Sequence, residues 1–160
     1  MAQKIVIGSD HAGFAMKEHL KAWLVKAGHA IKDVGAYSQD SVDYPDIAQK
    51  AVAEILDGNA EKGVLVCGTG LGMCYAANRF KGIRAALCVN VETAILASSH
   101  NNANVLCLGG RMTRPEDAEK IAEAWLNTPF EGGRHQRRID KIDTLTPAPL
   151  PKGEGSRNHK

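Results

Sequence analysis

Short β-branched runs alternate along this chain with longer segments of helical period. The runs occupy residues 4–8, 30–35, 63–67, 84–89 and 104–109, which predicts five strands. Between the first two, Met16, Leu20, Trp23, Leu24 and Ala27 recur at i, i+4, i+7, i+8 and i+11, one stripe of a helix that Gly28 can end. Ile47, Ala51, Val52, Ile55 and Leu56 repeat the stripe, as do Ala118, Ile121, Ala122 and Trp125, the last set behind Arg114-Pro115 at a helix start. Alternation of this kind predicts an α/β chain: a Rossmann-like three-layer αβα sandwich with a five-stranded parallel sheet. Residues 131–144 form a last helical segment with few apolar positions, Ile139, Ile142 and Leu145, so it is expected to pack on a partner subunit. Residues 147–160, rich in Pro and Gly, are expected to be a disordered tail behind a single domain of residues 1–146.

At 160 residues the chain has room for one hydrophobic core, and 44% hydrophobic with 24% charged residues is an ordinary globular composition. A net charge of +2 is too small to argue for a nucleic-acid partner or an anionic membrane surface. No stretch approaches the roughly 18 to 20 apolar residues of a membrane span, and no leader precedes the first strand, so a cytoplasmic protein is expected. Cys67, Cys74, Cys88 and Cys107 lack CxxC spacing, which argues for reduced thiols and against zinc. Any important positive charge must therefore be local.

In open parallel sheets ligands bind beyond the carboxyl ends of the strands. The informative loops are assigned to those ends: Asp10 and His11 after strand one, Gly68, Thr69, Gly70, Leu71 and Gly72 after strand three, His100 and Asn101 before strand five, Arg111 after it. The glycine loop can turn backbone N–H groups toward an anion at a helix N-terminus, or can be a tight turn; its spacing fits neither the dinucleotide fingerprint nor a P-loop. Cys67 ends an apolar strand at the lip of that loop, where a thiol is favoured to ionise and serve as nucleophile or base, whereas the other three cysteines read as small hydrophobes. His100 is either an acid or base near neutral pH or a helix C-cap. Asp10 and His11 are either N-cap residues or ligand contacts, and Asp43 lies in a turn before a helix. Arg134 and Arg138, four apart, share one helical face and can grip one phosphate, with Arg111 as a third donor; a solvated charged face is the alternative.

Taken in order, Ser9-Asp10-His11-Ala12-Gly13, Asp43-Tyr44-Pro45, Cys67-Gly68-Thr69-Gly70-Leu71-Gly72, Ala76-Ala77-Asn78-Arg79, His100-Asn101-Asn102-Ala103-Asn104-Val105 and Gly132-Gly133-Arg134-His135-Gln136-Arg137-Arg138 carry a resemblance. From residue 4 to about residue 142 the chain resembles the type B ribose-5-phosphate isomerases, a family that also holds galactose-6-phosphate isomerase subunits. The resemblance implies an aldose–ketose isomerase without metal or cofactor, acting on a sugar phosphate through an enediolate. It implies Cys67 as the carbon base, amides of Gly68, Thr69, Gly70, Leu71 and Gly72 as oxyanion donors, Thr69 as proton relay and His100, with Asp43, as the ring opener. Asp10 and Asn101 would bind sugar hydroxyls; His11, Arg111, Arg134 and Arg138 would bind phosphate, the last two from a partner subunit. A homodimer or dimer of dimers is thus implied. Where some members use a glutamate on the helix after the glycine loop, this chain has Met73, whose thioether cannot accept a proton at neutral pH. Two other readings remain: a hexose 6-phosphate isomerase (allose or galactose 6-phosphate), and a non-catalytic sugar-phosphate-binding module.

Overall fold

The computed structural model describes residues 2–145, so the expected tail lies outside the described residues. Five strands, β1 (Lys4–Ser9), β2 (Ala30–Asp33), β3 (Lys62–Cys67), β4 (Ala85–Leu87) and β5 (Val105–Gly109), form one sheet in the order β2-β1-β3-β5-β4. Every pairing is parallel, with Ser9 opposite Val66 and Cys67 opposite Gly109 at the carboxyl ends. The central β1, β3 and β5 are buried on both faces, which is why they read as unbroken apolar runs. The edge strands β2 and β4 are partly exposed.

Helices α1 (Phe14–Lys26), α2 (Tyr44–Leu56), α3 (Leu71–Ala77), α4 (Val91–Ser99), α5 (Pro115–Asn127) and α6 (Arg134–Asp143) accompany the strands among the described residues. Leu20 and Leu24 of α1, Ala94 and Ala97 of α4, and Ile121 and Trp125 of α5 pack on Ile5, Ile7, Val64, Val66, Leu106 and Leu108. On the opposite face Ile47, Ala51 and Val52 of α2 and Met73 and Ala77 of α3 pack on Val6, Leu65, Cys67 and Cys107. Two separate apolar layers flank the sheet, as the three-layer reading requires. Trp125 is fully buried and its indole N–H donates to the Ala103 carbonyl at 3.0 Å, satisfying its one polar atom.

The boundaries depart from the sequence reading where side chains intervene. β2 stops at Asp33, whose carboxylate accepts the Gly35 N–H at 2.9 Å, and β4 stops at Leu87, ahead of Asn90, which caps α4 by accepting the Thr93 N–H at 2.8 Å. Gly28, at φ +90°, ends α1 as expected, but Ala27 is exposed and does not belong to the buried stripe. Lys17 does belong to it: its ammonium is fully buried, 2.7 Å from Asp33 and 2.8 Å from Glu18. Helix α6 buries His135 and Ile139 against its own chain, while Ile142 and Leu145 stay exposed.

Candidate active site

β1 connects toward β2 on one side and β3 continues toward β5 and β4 on the other, so the carboxyl ends of β1 and β3 form the switch point of the sheet. Asp10 leaves β1 there, with its N–H donating to the Val66 carbonyl at 3.1 Å. The Asp10 carboxylate accepts the Gly13 N–H at 2.9 Å, one residue short of α1, so it holds the turn rather than capping the helix. A Cβ on Gly13 would stand 2.5 Å from the Val66 carbonyl oxygen; only glycine lets α1 start this close to β3. His11 accepts the Val42 N–H on Nδ1 at 3.4 Å, tying the loop before α2 to the site. Asp43, exposed at the N-cap position of α2, makes no side-chain cap bond. Next to it the Tyr44 ring lies against Gly72, where a Cβ would come within 2.8 Å.

Cys67 closes β3 with its side chain 4% exposed, and Sγ accepts the Gly70 N–H at 3.1 Å. Gly70 achieves this at φ +80°, a left-handed conformation that starts α3. Around it the loop interlocks with the one after β5: the Gly110 N–H donates to the Cys67 carbonyl at 2.8 Å and the Arg111 N–H to the Gly68 carbonyl at 3.1 Å. The Arg111 guanidinium lies over the same loop, with Nη1 3.3 Å from the point a Gly68 Cβ would occupy. Thr69 is exposed at the rim and its Oγ1 accepts the Leu71 N–H at 3.3 Å. Of the amides assigned to an oxyanion, those of Gly70 and Leu71 are thus turned to Cys67 and Thr69.

The assignment of His100 and Asn101 to the carboxyl ends is wrong. In an all-parallel sheet α4 runs from the end of β4 back toward the start of β5, so its C-cap, His100, emerges at the amino ends. The C-cap reading holds for its backbone, whose N–H donates to the Leu96 carbonyl at 3.0 Å. Its ring stacks on His135 of α6, centroids 4.3 Å apart and planes within 10°. Glu131, tied to Ser99 by a 3.0 Å backbone bond, brings Oε2 to 3.9 Å from His100 Nε2 and 3.5 Å from His135 Nε2. Burial, then the neighbouring His100 and Arg134 charges, lower the His135 pKa. Arg134 and Arg138 stand exposed on one face of α6, as their spacing predicted. Within one chain the predicted residues therefore form two groups. Asp10, His11, Asp43, Cys67, the glycine loop and Arg111 lie at one end of the sheet; His100, Asn101, Arg134 and Arg138 lie at the other. β3 alone separates them by about 20 Å.

Sequence reasoning passed over two features. Cys74, assigned to packing, is half-buried in α3; the hydrogen-bonded Cys107 thiol lowers its pKa to about 6, while that pairing and full burial raise Cys107. Cys88, raised to about 11 by burial, fits the small-hydrophobe reading. Glu131 and His135 flank the arginines in the sequence, but nothing local tells that they meet His100.

Comparison with known proteins places the whole of this arrangement in one family. The family model described as ribose/galactose isomerase matches residues 5–142. Ribose-5-phosphate isomerase B of Escherichia coli K12 is 41% identical over 143 residues, 89% of this chain and 96% of that protein. The crystal structure of a ribose 5-phosphate isomerase from Thermotoga maritima superposes with a TM-score of 0.89 at 54% identity, covering 91% of this chain and all of that one. That of ribose-5-phosphate isomerase B from Mycoplasma genitalium with bound ribulose-5-phosphate has a TM-score of 0.84 at 43% identity, covering 89% of this chain and 95% of that one. With the fold matched over about nine-tenths of its length and a family model spanning residues 5–142, this chain belongs to the ribose/galactose isomerase family.

Proposed function

We propose that this chain is an aldose–ketose isomerase that interconverts ribose 5-phosphate and ribulose 5-phosphate through an enediolate, with each active site assembled from two copies. The observation that carries the reading is the Cys67 sulfur, at the switch point of the sheet, accepting the Gly70 N–H at 3.1 Å. A carbon acid needs a positioned base and fixed donors where negative charge develops, and this corner of the fold supplies both kinds of group. Likeness to the Mycoplasma genitalium structure, whose ligand is ribulose-5-phosphate, supports the choice of substrate.

The reaction divides among the residues as follows. His100 of the partner subunit, aided by Asp43, moves the proton that opens the furanose ring. The Cys67 thiolate removes the proton from C2 of the open aldose, and charge passes to the carbonyl oxygen at C1, which faces amides of the glycine loop. Thr69 relays the hydroxyl proton from O2 to O1, and the Cys67 thiol returns its proton to C1, leaving a carbonyl at C2. Asp10, with Asn101 reaching in from the second copy, holds sugar hydroxyls. His11, Arg111, Arg134 and Arg138 hold the phosphate, the last two reaching in from the second copy.

A second copy also suits the surface. Val91, Ile95 and Leu96 of α4, with Val89 in the turn before it, are exposed, a patch that a self-complementary two-fold contact would cover. No helix among the described residues is long and apolar enough to cross a membrane, and all four cysteines are free. Reduced thiols fit the cytoplasm.

The test is ribulose 5-phosphate formation after chelation of metals, followed by Cys67→Ala. Loss of solvent deuterium incorporation by about 100-fold or more, with phosphate binding retained, is the expected outcome. Full activity in that variant would refute the assignment of the base. A higher kcat/KM for allose or galactose 6-phosphate than for ribose 5-phosphate would move the substrate to the hexoses.

A further inference from the structure

The environment of His135 is unusual for a histidine. Its Nε2 atom is buried without a hydrogen-bond partner in a side chain that is itself 7% exposed. A buried nitrogen left unpaired costs stability and asks for an occupant. An ordinary ion pair with Glu131 is a poor explanation: the contacts to Oε2, 3.5 Å from His135 and 3.9 Å from His100, are too long for hydrogen bonds. Both histidines turn the same edge toward the same carboxylate oxygen, with their rings stacked.

That arrangement is a ligand set. One donor atom each from His100, Glu131 and His135 lies within 4.8 Å of the other two. Two ligands bound at 2.0–2.1 Å to a tetrahedral ion stand about 3.4 Å apart. The separations need to shrink by about 1.5 Å or less, and, because an imidazole donates in its own plane, the stacked rings must also turn toward each other; the partly exposed His100 and Glu131 have room for that movement. The backbone holding the set is fixed: Glu131 N–H donates to Ser99, His135 N–H to Gly132 and His100 N–H to Leu96. Two imidazoles and a carboxylate suit Zn2+ and its borderline neighbours rather than Mg2+ or Ca2+, which prefer all-oxygen shells. Partial exposure of His100 and Glu131 leaves a route for the ion and a fourth position for water.

We propose that His100, Glu131 and His135 bind one borderline divalent cation, Zn2+ in type, at the amino ends of the strands, and that the bound ion inhibits turnover. The ion clamps α6 to the C-terminus of α4, and it occupies the His100 nitrogen that ring opening requires. Binding rests on the placement of the three donors, whereas inhibition rests on the isomerase reading above. The cation is thus an occupant that blocks the reaction, not a participant in it.

The experiment titrates the full chain, freed of metal by chelation, with Co2+. One ion per chain is expected, with visible bands of a low-coordinate nitrogen and oxygen shell. Glu131→Gln and His135→Gln should each weaken binding by about tenfold or more. Glu131→Gln alters an exposed side chain and keeps the test sound if His135→Gln does not fold. Zn2+ should depress ribose 5-phosphate turnover along the same saturation curve, chelation should restore it, and Glu131→Gln should resist it. No binding at millimolar Co2+, a sulfur-to-cobalt charge-transfer band, or unchanged affinity in Glu131→Gln would each overturn the site. Turnover of the metal-free protein, measured first, judges the isomerase reading independently: its absence would defeat that reading while the cobalt titration still decided the site.

Discussion

If each active site takes Cys67 from one copy and His100, Arg134 and Arg138 from another, two inactive variants should repair each other when mixed. Cys67→Ala removes the base from one end of the sheet and Arg138→Ala removes a phosphate donor from the other. In a single chain these residues are separated by at least the length of β3, six residues or about 20 Å. Proton transfer needs heavy atoms within about 3 Å, so no side-chain motion closes the gap inside one protomer. A mixed pair related by two-fold symmetry holds one site with both lesions and one with neither. Random exchange of equal amounts makes half of the pairs mixed, and activity should return to about a quarter of wild type. The assay is ribulose 5-phosphate formation after partial denaturation and joint refolding, with each variant refolded alone as the blank. Activity no higher than the sum of the two blanks, with mixed pairs verified by mass, would refute the composite site and return both groups of residues to one chain.

Two further outcomes follow from packing and charge. Gly70→Ala forces a side chain into φ +80° and places Cβ 2.5 Å from Leu87 Cδ1 and 2.9 Å from the Leu108 carbonyl carbon. Strain and overpacking together should cost about 2–4 kcal/mol and lower Tm by roughly 10 °C. Gly28→Ala, at φ +90° with nothing within 4 Å, should show the strain alone; equal losses in the two would mean that the packing argument fails. Burial pushes the Asp33 carboxyl up, but hydrogen bonds from Lys17, Lys21 and the Gly35 amide outweigh it, and its pKa lies below the usual 3.8. A depressed folded pKa contributes stability that is complete above about pH 4 and is lost as pH falls through the lowered value. Asp33→Asn should therefore lose about 3 kcal/mol at pH 7, where Lys17 stays buried beside Glu18 alone, and approach wild type in strong acid. Urea unfolding across a pH series checks this, and a gap independent of pH would contradict it.

Much of the architecture was legible from local pattern. Burial on both faces makes β1, β3 and β5 continuous apolar runs, and a helix lying on a sheet repeats its apolar residues every three or four positions, so the five strands and the stripes of α1, α2 and α5 could be read directly. Cys67 stood out for the same reason: a strand end meeting a glycine turn is a local event. So did Arg134 and Arg138, whose shared face follows from helical geometry. What the pattern could not convey depends on partners far along the chain. Lys17 occupies an apolar stripe because Asp33 arrives from β2 to neutralise it, and no period in α1 announces that. The insertion of β5 between β3 and β4 is a choice of hydrogen-bonding neighbour, which the faces of a strand do not encode. The amino-end position of His100 follows from the parallel order that the alternation already implied, but its contact with His135 of α6 comes from the fold alone. Residue types and spacings supplied the chemical groups of this protein, whereas strand order and the packing of the crossovers, long-range properties of the folded backbone, decided which of those groups meet within one chain.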